Sequence, residues 1–329
     1  MRDISRRGVI GLAGGAAAAW PLAVRAQEPA MPVVGYLSAR SADSERPILA
    51  AFIRSLSKTG YVVDKDVAIE FRWANGQYNR LAALADDLVH RQVNVIVAVG
   101  GEQSALAAKA ATATIPIVFN VGDPLSVGLV ASLGRPGGNA TGVASLLLAL
   151  GAKQFGFLRD LVPKATKIAM LVNPLDPWMI SLSADAQAGA RAVGQELVVL
   201  NASTEREIDA AFVAAIQQGV GALLVSPGPF FVAEGNHLVA LAARHRLPAI
   251  YSRREFAEAG GLMSYGSNTA ELSGHMATYV AKILNGAKPS DLPIVQPTKF
   301  ELVINMKAAK ALGLEVPTQM QQLADEVIE

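Results

Sequence analysis

The sequence contains no cysteine, and charged and aromatic residues are scarce. The absence of cysteine from all 329 residues excludes disulfides, zinc–thiolate sites, iron–sulfur clusters, a thiol nucleophile and a lipid-modified cysteine. Only 17% of residues are charged and 51% are hydrophobic, a balance that excludes a disordered chain. The formal net charge of +1 gives no electrostatic reason to expect nucleic acid as a partner. What remains is a globular protein with a length on the order of two ordinary domains.

The first 26 residues have the composition of an export signal. Arg6 and Arg7 precede an apolar Gly/Ala-rich run at 9–20, and small residues follow up to Ala26. A membrane-spanning helix needs about 20 apolar residues, more than this run supplies. The paired arginines resemble a twin-arginine signal, with general secretion as the alternative route and an N-terminal amphipathic helix as the structural alternative. We expect cleavage after Ala26. The mature protein is then expected in the periplasm, without a membrane anchor.

After this segment, short apolar stretches alternate with amphipathic or Ala-rich stretches, which is typical of βα units and parallel sheets. Strands are predicted at 33–37, 67–73, 93–99, 115–119, 167–172, 196–200, 222–225, 249–251 and 300–304. Helices are predicted at 47–58, 79–90, 103–112, 152–161, 182–193, 205–218, 232–245, 268–285 and 307–312, with an extended Pro-rich stretch at 288–297. Because the second half repeats the strand, turn, helix and Pro-led strand of the first, we predict an α/β fold with two doubly wound parallel-sheet lobes.

Several motifs carry a resemblance to a known family. They are PVVGYLS at 32–38, IEFRWA at 69–74, IPIVF at 115–119, GDP at 122–124, RPGGNATG at 135–142 and GLMSYG at 261–266. With them the chain, signal included, resembles the solute-binding proteins of ABC importers, in the tryptophan/tyrosine-type branch with the type I periplasmic binding protein fold. The resemblance implies an N-terminal lobe at 32–140 plus 268–290 and a C-terminal lobe at 145–263 plus 298–329. Hinge crossings are then expected near 141–145, 264–268 and 293–300.

The resemblance also implies a function. The protein would close its lobes on a small carboxylate-bearing solute, an amino acid or an aromatic or apolar acid, and present the closed form to an ABC permease in the inner membrane. Ligands of open α/β sheets bind at the carboxyl ends of the strands, so facing lobes place both sets of binding loops in one cleft.

Candidate ligand-binding residues in the first half follow the predicted strands or lie at the hinge. They are Ser38, Gly101, Gln103, Ser104, Asn120, Asp123 and Thr141. The Gly-rich turn at 100–101 offers backbone N–H groups to a carboxylate if Glu102 points away, or it is a plain tight turn. Asp123 suits an ammonium group, or it caps the helix that begins near Pro124. Ser38 faces the cleft, or it caps a turn.

Candidates in the second half occupy corresponding positions. They are Asn173, Trp178, Ser226, Phe230, Tyr251, Glu255, Tyr265 and Asn268. The Trp178 indole could cover a ring or an aliphatic chain of the ligand, or it packs in the protein. Glu255 could bind an amine, or it pairs with Arg253 or Arg254 on the surface.

Enzymatic functions gain no support from the sequence. The four histidines lack the spacing of metal ligands, the candidate serines lack a nucleophile-elbow motif, and no acid–base pair can be named. We therefore expect no catalytic activity, no cofactor and no metal. Two alternatives to transport remain at this point: a ligand-sensing subunit of a signalling receptor, and an exported α/β enzyme.

Overall fold

Two β-sheets form the framework of the chain, which the computed structural model describes at residues 31–145, 147–176, 179–192 and 194–329. The predicted signal segment and Trp178 lie outside the described residues. The first sheet consists of β1 (Val33–Ser38), β2 (Ala68–Trp73), β3 (Val95–Val99), β4 (Ile117–Val121) and β5 (Ala140–Ala144). Its order is β2-β1-β3-β4-β5, and all neighbouring strands are parallel.

The second sheet is larger and contains one antiparallel pair. It consists of β6 (Lys167–Val172), β7 (Glu196–Asn201), β8 (Ala222–Val225), β9 (Ala249–Tyr251), β10 (Met263–Ser267), β11 (Phe300–Asn305) and β12 (Glu326–Ile328). Its order is β12-β11-β10-β9-β8-β6-β7. The β10–β11 pair is antiparallel, because the chain leaves the sheet at the end of β10 and returns beside the same point to begin β11.

Helices cover both sheets and define two lobes. The helices are α1 (Ala42–Lys58), α2 (Leu81–His90), α3 (Glu102–Ala111), α4 (Leu147–Leu161), α5 (Met179–Ala192), α6 (Glu205–Gln217), α7 (Pro229–Ala233), α8 (Gly235–Arg244), α9 (Arg254–Glu258), α10 (Thr269–Leu284), α11 (Met306–Leu312) and α12 (Thr318–Leu323). Helix α10 packs against α1 and the first sheet. We call the first sheet with α1–α3 and α10 the first lobe, and the second sheet with the other helices the second lobe.

The strands are buried on both faces, which explains why they could be predicted. In β1 the side chains of Val34 and Tyr36 join one core cluster and Leu37 joins another. In β6, Ile168 and Ala169 likewise contribute to clusters on opposite sides of the second sheet. Parallel strands in this environment consist of continuous apolar runs. The predicted α/β fold with two parallel-sheet lobes is confirmed.

Several predicted boundaries were wrong for local reasons. Helix α1 begins at Ala42 and not at residue 47, because the Ser41 hydroxyl accepts a hydrogen bond from Ser44 N (3.3 Å) and caps the helix. The predicted helix at 232–245 is broken at Glu234 into α7 and α8. Strands β5 and β10 occupy segments assigned only to the hinge, and the three-residue β12 is too short for its pattern to be recognised.

The chain passes between the lobes after β5, after β10 and before β11. Beside the first crossing, the Thr141 hydroxyl donates to Leu292 O (2.7 Å), and Val295 N donates to Gly142 O (3.0 Å). These bonds attach the third crossing to β5. Gly142 must be glycine here, because a Cβ would lie 2.1 Å from Phe119 O at a φ of +155°. Among the described residues, no helix combines the length and apolar character needed to span a membrane.

Candidate functional site

A cavity of about 100 Å³ lies between the two lobes, where loops that follow the strands face each other. From the first lobe, Arg40, Glu102 and Asn120 line it. From the second lobe, Asp176, Gly228 and Arg253 line it. The cavity therefore contains charged groups of both signs, contributed from both sides.

Asp176 is the carboxylate buried deepest in the second-lobe wall, with 1% of its surface exposed. Its Oδ1 atom accepts hydrogen bonds from the Tyr78 hydroxyl and Gln103 Nε2, both at 3.1 Å. Its Oδ2 atom is buried and has no hydrogen-bond partner among the described residues. Burial and the nearby charge of Glu102 raise the pKa of Asp176 to about 7, although the two hydrogen bonds act in the opposite direction. An ammonium group at Oδ2 would favour the charged form of this carboxylate.

Arg40 presents the opposite charge from the first lobe. Its Nη1 atom donates to Glu45 Oε2 at 3.0 Å, and that carboxylate is completely buried. Tyr36 and Ser38 each donate a hydroxyl hydrogen bond of 3.1 Å to Glu45. The Nε atom of Arg40 is buried without a partner among the described residues. The lobe therefore holds the guanidinium in place and leaves one of its donors without a hydrogen-bond partner among the described residues.

Arg253 lines the same cavity two residues after β9. It forms an ion pair with Glu255 at 2.7 Å, and both side chains are largely buried. Burial opposes ionisation of Glu255, but the guanidinium outweighs this effect, so the pKa of Glu255 lies below its usual range. Glu255 therefore pairs with Arg253, which is one of the two alternatives given above. The pair is largely buried, however, and not on the surface.

Glu102 begins α3 and ties two first-lobe loops together. It is 3% exposed, and its carboxylate accepts a hydrogen bond of 2.7 Å from Gly122 N, in the turn after β4. The preceding residue, Gly101, has a φ of 107° and also lines the cavity. The positive φ lets the backbone approach the second lobe, where a Cβ on Gly101 would lie 3.4 Å from Pro229 Cγ.

Some residues predicted for the site lie elsewhere and serve the fold. The Asp123 carboxylate accepts hydrogen bonds from Leu125 N (2.9 Å) and Ser126 N (3.3 Å) and is outside the cavity lining. The side chain therefore caps its own turn, the described segment 122–139 contains no helix near Pro124, and its role as an amine ligand stays a prediction. Ser38 is fully buried, and its hydroxyl is engaged with Glu45 and Arg40 N.

Three further hydrogen-bonding candidates have structural partners and are outside the cavity lining, so their role in ligand binding stays a prediction. Thr141 holds the third crossing through Leu292 O. Asn173 Oδ1 accepts from Leu175 N (3.0 Å) in its own loop. Asn268 caps α10 through Glu271 N (2.8 Å).

The aromatic candidates pack against other rings, and the two serine candidates are buried outside the cavity lining. Tyr251 stacks on Phe256 with centroids 4.6 Å apart, Tyr265 meets Phe157 edge to face at 5.2 Å, and Phe230 packs on Phe231 at 5.3 Å. Ser104 and Ser226 are buried and do not line the cavity, although their hydroxyls have no partner among the described residues. Of the sequence predictions, Gly101 and Asn120 line the cavity and Gln103 contacts Asp176.

Arg40, Asp176 and Arg253 were missed as site residues. Arg40 and Arg253 each follow a strand by two residues, and Asp176 follows β6 by four. The strand-end rule that selected the other candidates therefore applied to them as well. Charged side chains in such loops are usually solvated, and nothing in the sequence indicates that these are buried between lobes.

Comparison with known proteins identifies the family. The model for ABC transporter substrate binding proteins matches residues 34–328. The chain belongs to this family. Its members are solute-binding proteins, not enzymes, which confirms the expectation of a non-catalytic role. Among the described residues, no group of three or more His, Cys, Asp or Glu side chains could hold a metal ion.

Individual proteins resemble this chain over most of its length. The binding protein is 27% identical over 265 residues to a tyrosine-binding protein of Clostridioides difficile, covering 80% of this chain and 76% of the relative. An ABC domain in complex with L-Trp from Streptococcus pneumoniae aligns with a TM-score of 0.82 at 24% identity, covering 90% of this chain and 99% of that one. A conserved domain protein from Vibrio cholerae aligns with a TM-score of 0.83, with the same identity and coverage.

Proposed function

We propose that the protein is the periplasmic component of an ABC importer and that its solute is an amino acid, bound by closure of the lobes. The observation that carries the proposal is that two residues lining one cavity each have a buried polar atom without a hydrogen-bond partner. Asp176 Oδ2 is an acceptor on the second lobe, and Arg40 Nε is a donor on the first. Buried polar groups are normally hydrogen-bonded, and an unmet one costs about 1–3 kcal/mol, so this pair marks a place for a ligand.

The chemistry of the two atoms selects the class of solute. An ammonium group complements Asp176 Oδ2, and a carboxylate complements Arg40 Nε. A zwitterionic amino acid supplies both, and the tyrosine-binding relative supports this class. Because the two partners belong to different lobes, a solute that engages both has higher affinity for the closed conformation, which is the condition for ligand-driven closure.

The experiment compares three related compounds. Thermal shift with the standard L-amino acids, L-tyrosine and L-tryptophan included, selects the compound that stabilises the mature protein most. Calorimetry then measures this amino acid, its deaminated acid and its decarboxylated amine. Loss of either charged hydrogen bond should weaken binding about tenfold or more. Failure of all amino acids to bind, or equal affinity for the deaminated acid, would contradict the proposal.

Two protein variants separately test the contacts to the ammonium group and to the carboxylate of the solute. Asp176→Asn should strongly weaken binding of the amino acid. The control, Asp160→Asn, removes a carboxylate on α4 whose side chain is 60% exposed and should leave the affinity unchanged. Arg40→Lys keeps a positive charge beside Glu45 but has no Nε–H, so it should weaken carboxylate binding with limited loss of stability. Wild-type affinity in Asp176→Asn would remove this residue from the site.

Export and transport are further parts of the proposal. The basic, apolar and small-residue order of residues 1–26 supports export, by the twin-arginine route, with cleavage after Ala26. The mass of protein recovered from the periplasm of its own host tests the cleavage site, and Arg6→Lys with Arg7→Lys tests the route. Uptake of the labelled amino acid, lost when the gene is deleted, tests the importer and its permease partner.

A further inference from the structure

The contacts of Asp176 span the two lobes and involve only one of its oxygens. Tyr78, in a short 3₁₀ turn before α2, and Gln103, in the first turn of α3, both donate to Oδ1 at 3.1 Å. Gln103 Nε2 also contacts Leu175 O at 3.4 Å. Both donors belong to the first lobe, and the acceptor belongs to the second. The other oxygen, Oδ2, is buried and has no partner among the described residues, and Asp176 lines the cavity.

We propose that Tyr78 and Gln103 are positioning residues of the amine subsite. Closure of the lobes completes this subsite by bringing the two donors onto Asp176 Oδ1. The other oxygen, Oδ2, is then held toward the ammonium group of the solute. The inference rests on the proposed function, because it assigns a role within the same cavity. Neither residue touches the solute in this arrangement. A carboxylate fixed through one oxygen cannot rotate freely about its terminal torsion, so its other oxygen meets the ammonium group at little entropic cost.

The charged groups around Asp176 make this role distinguishable from simple attachment of the lobes. Glu102 faces it from α3 and disfavours the carboxylate, Tyr78 faces it from the 3₁₀ turn, and Arg40 acts on Tyr78 from the loop after β1. The second-lobe side contributes the uncharged turn at Gly228. Tyr78 and Gln103 are thus the groups that favour the ionised form of Asp176, against burial and Glu102. Without one of them, its pKa should rise, and amine binding should require a higher pH.

The test uses Tyr78→Phe, Gln103→Met and a matched control. Tyr61→Phe removes a hydroxyl of the same lobe that donates to Asn285 Oδ1 at 3.0 Å, at an exposed position. The ligand is the standard L-amino acid that stabilises the wild-type protein most, and calorimetry gives its affinity between about pH 5 and pH 9. Each variant should bind about tenfold more weakly near neutral pH, and the loss should shrink as pH rises. The control should follow the wild-type curve.

The outcomes separate this inference from the function on which it rests. If no amino acid binds the wild-type protein, the proposed function fails and the positioning role fails with it. If the wild type binds and Asp176→Asn does not, but Tyr78→Phe and Gln103→Met behave like Tyr61→Phe, only the positioning role is refuted. A loss of the same size at every pH would assign the two residues to lobe attachment and would also refute it.

Discussion

Replacement of Asp176 by asparagine should stabilise the solute-free protein in the conformation described above, in which the lobes already meet at Asp176, although it removes the carboxylate of the proposed amine subsite. Asparagine has nearly the same shape, and its amide oxygen can accept the hydrogen bonds from Tyr78 and Gln103. It carries no charge, so the variant avoids the desolvation that the ionised side chain suffers at 1% exposure. The gain should depend on pH, because the wild-type side chain is charged only above its pKa.

The sign and size of this effect follow from the pKa. Since the folded protein raises the pKa from 3.8 to about 7, it binds this proton more tightly than the unfolded chain does. The stabilising contribution is therefore complete below about pH 4 and is lost as pH rises through about pH 7. A shift of this size corresponds to about 4 kcal/mol of unfolding free energy. Asp176→Asn should thus match the wild type near pH 4 and exceed it by a few kcal/mol at pH 8.

Urea unfolding of protein freed of ligand by refolding measures this difference directly. The free energies of unfolding of wild type and Asp176→Asn are compared at about pH 5, 6, 7 and 8. Asp160→Asn provides the control for loss of a surface charge, and its difference from wild type should stay within about 0.5 kcal/mol at each pH. Parallel curves for wild type and Asp176→Asn would refute the reasoning, because they would mean that burial does not penalise this carboxylate.

Two glycine substitutions give further predictions. Gly228→Ala should weaken amino-acid binding about tenfold without unfolding the protein, because its φ of 178° suits any residue but its Cβ would lie 2.9 Å from Asp176 Oδ2. Calorimetry against Gly134→Ala, whose Cβ would meet nothing within 4 Å, checks it, and equal affinities would contradict it. Gly266→Ala should lower the free energy of unfolding by about 3 kcal/mol or more, since its Cβ would lie 1.8 Å from Ser252 O. Urea unfolding measures this loss, and a change below about 0.5 kcal/mol would disprove it.

The lobes could be predicted from the sequence because their strands are buried on both faces. Runs such as 95–99 are entirely buried, and burial of every position leaves an apolar stretch that can be recognised without a structure. The strands at the crossings between the lobes are different. β5 contains Thr141 and Gly142, and β10 contains Gly266, so small and polar residues interrupt the apolar pattern where the chain must pass close to its neighbours.

The site was predicted less well, because the strand-end rule gives a position but not a direction. Ser38 ends β1 and Arg40 follows it by two residues, yet Ser38 turns inward to Glu45 and Arg40 lines the cavity. Asp123 and Asp176 both follow strands, and the sequence alone predicts an amine ligand only at Asp123. Only the three-dimensional contacts distinguish a carboxylate that caps its own turn from one that contacts the opposite lobe.

Burial of the ionised Asp176 side chain lowers the free energy of unfolding of the protein. The same burial allows this carboxylate to couple solute binding to closure. In water an ammonium–carboxylate pair contributes little, whereas the same pair inside a closed cleft is much stronger because few solvent dipoles screen it. The proposed donors from Tyr78 and Gln103 reach the carboxylate only when the lobes meet. An ammonium group would then relieve the unmet charge in the closed form and gain little in the open form. This difference in affinity is the free energy available to drive closure.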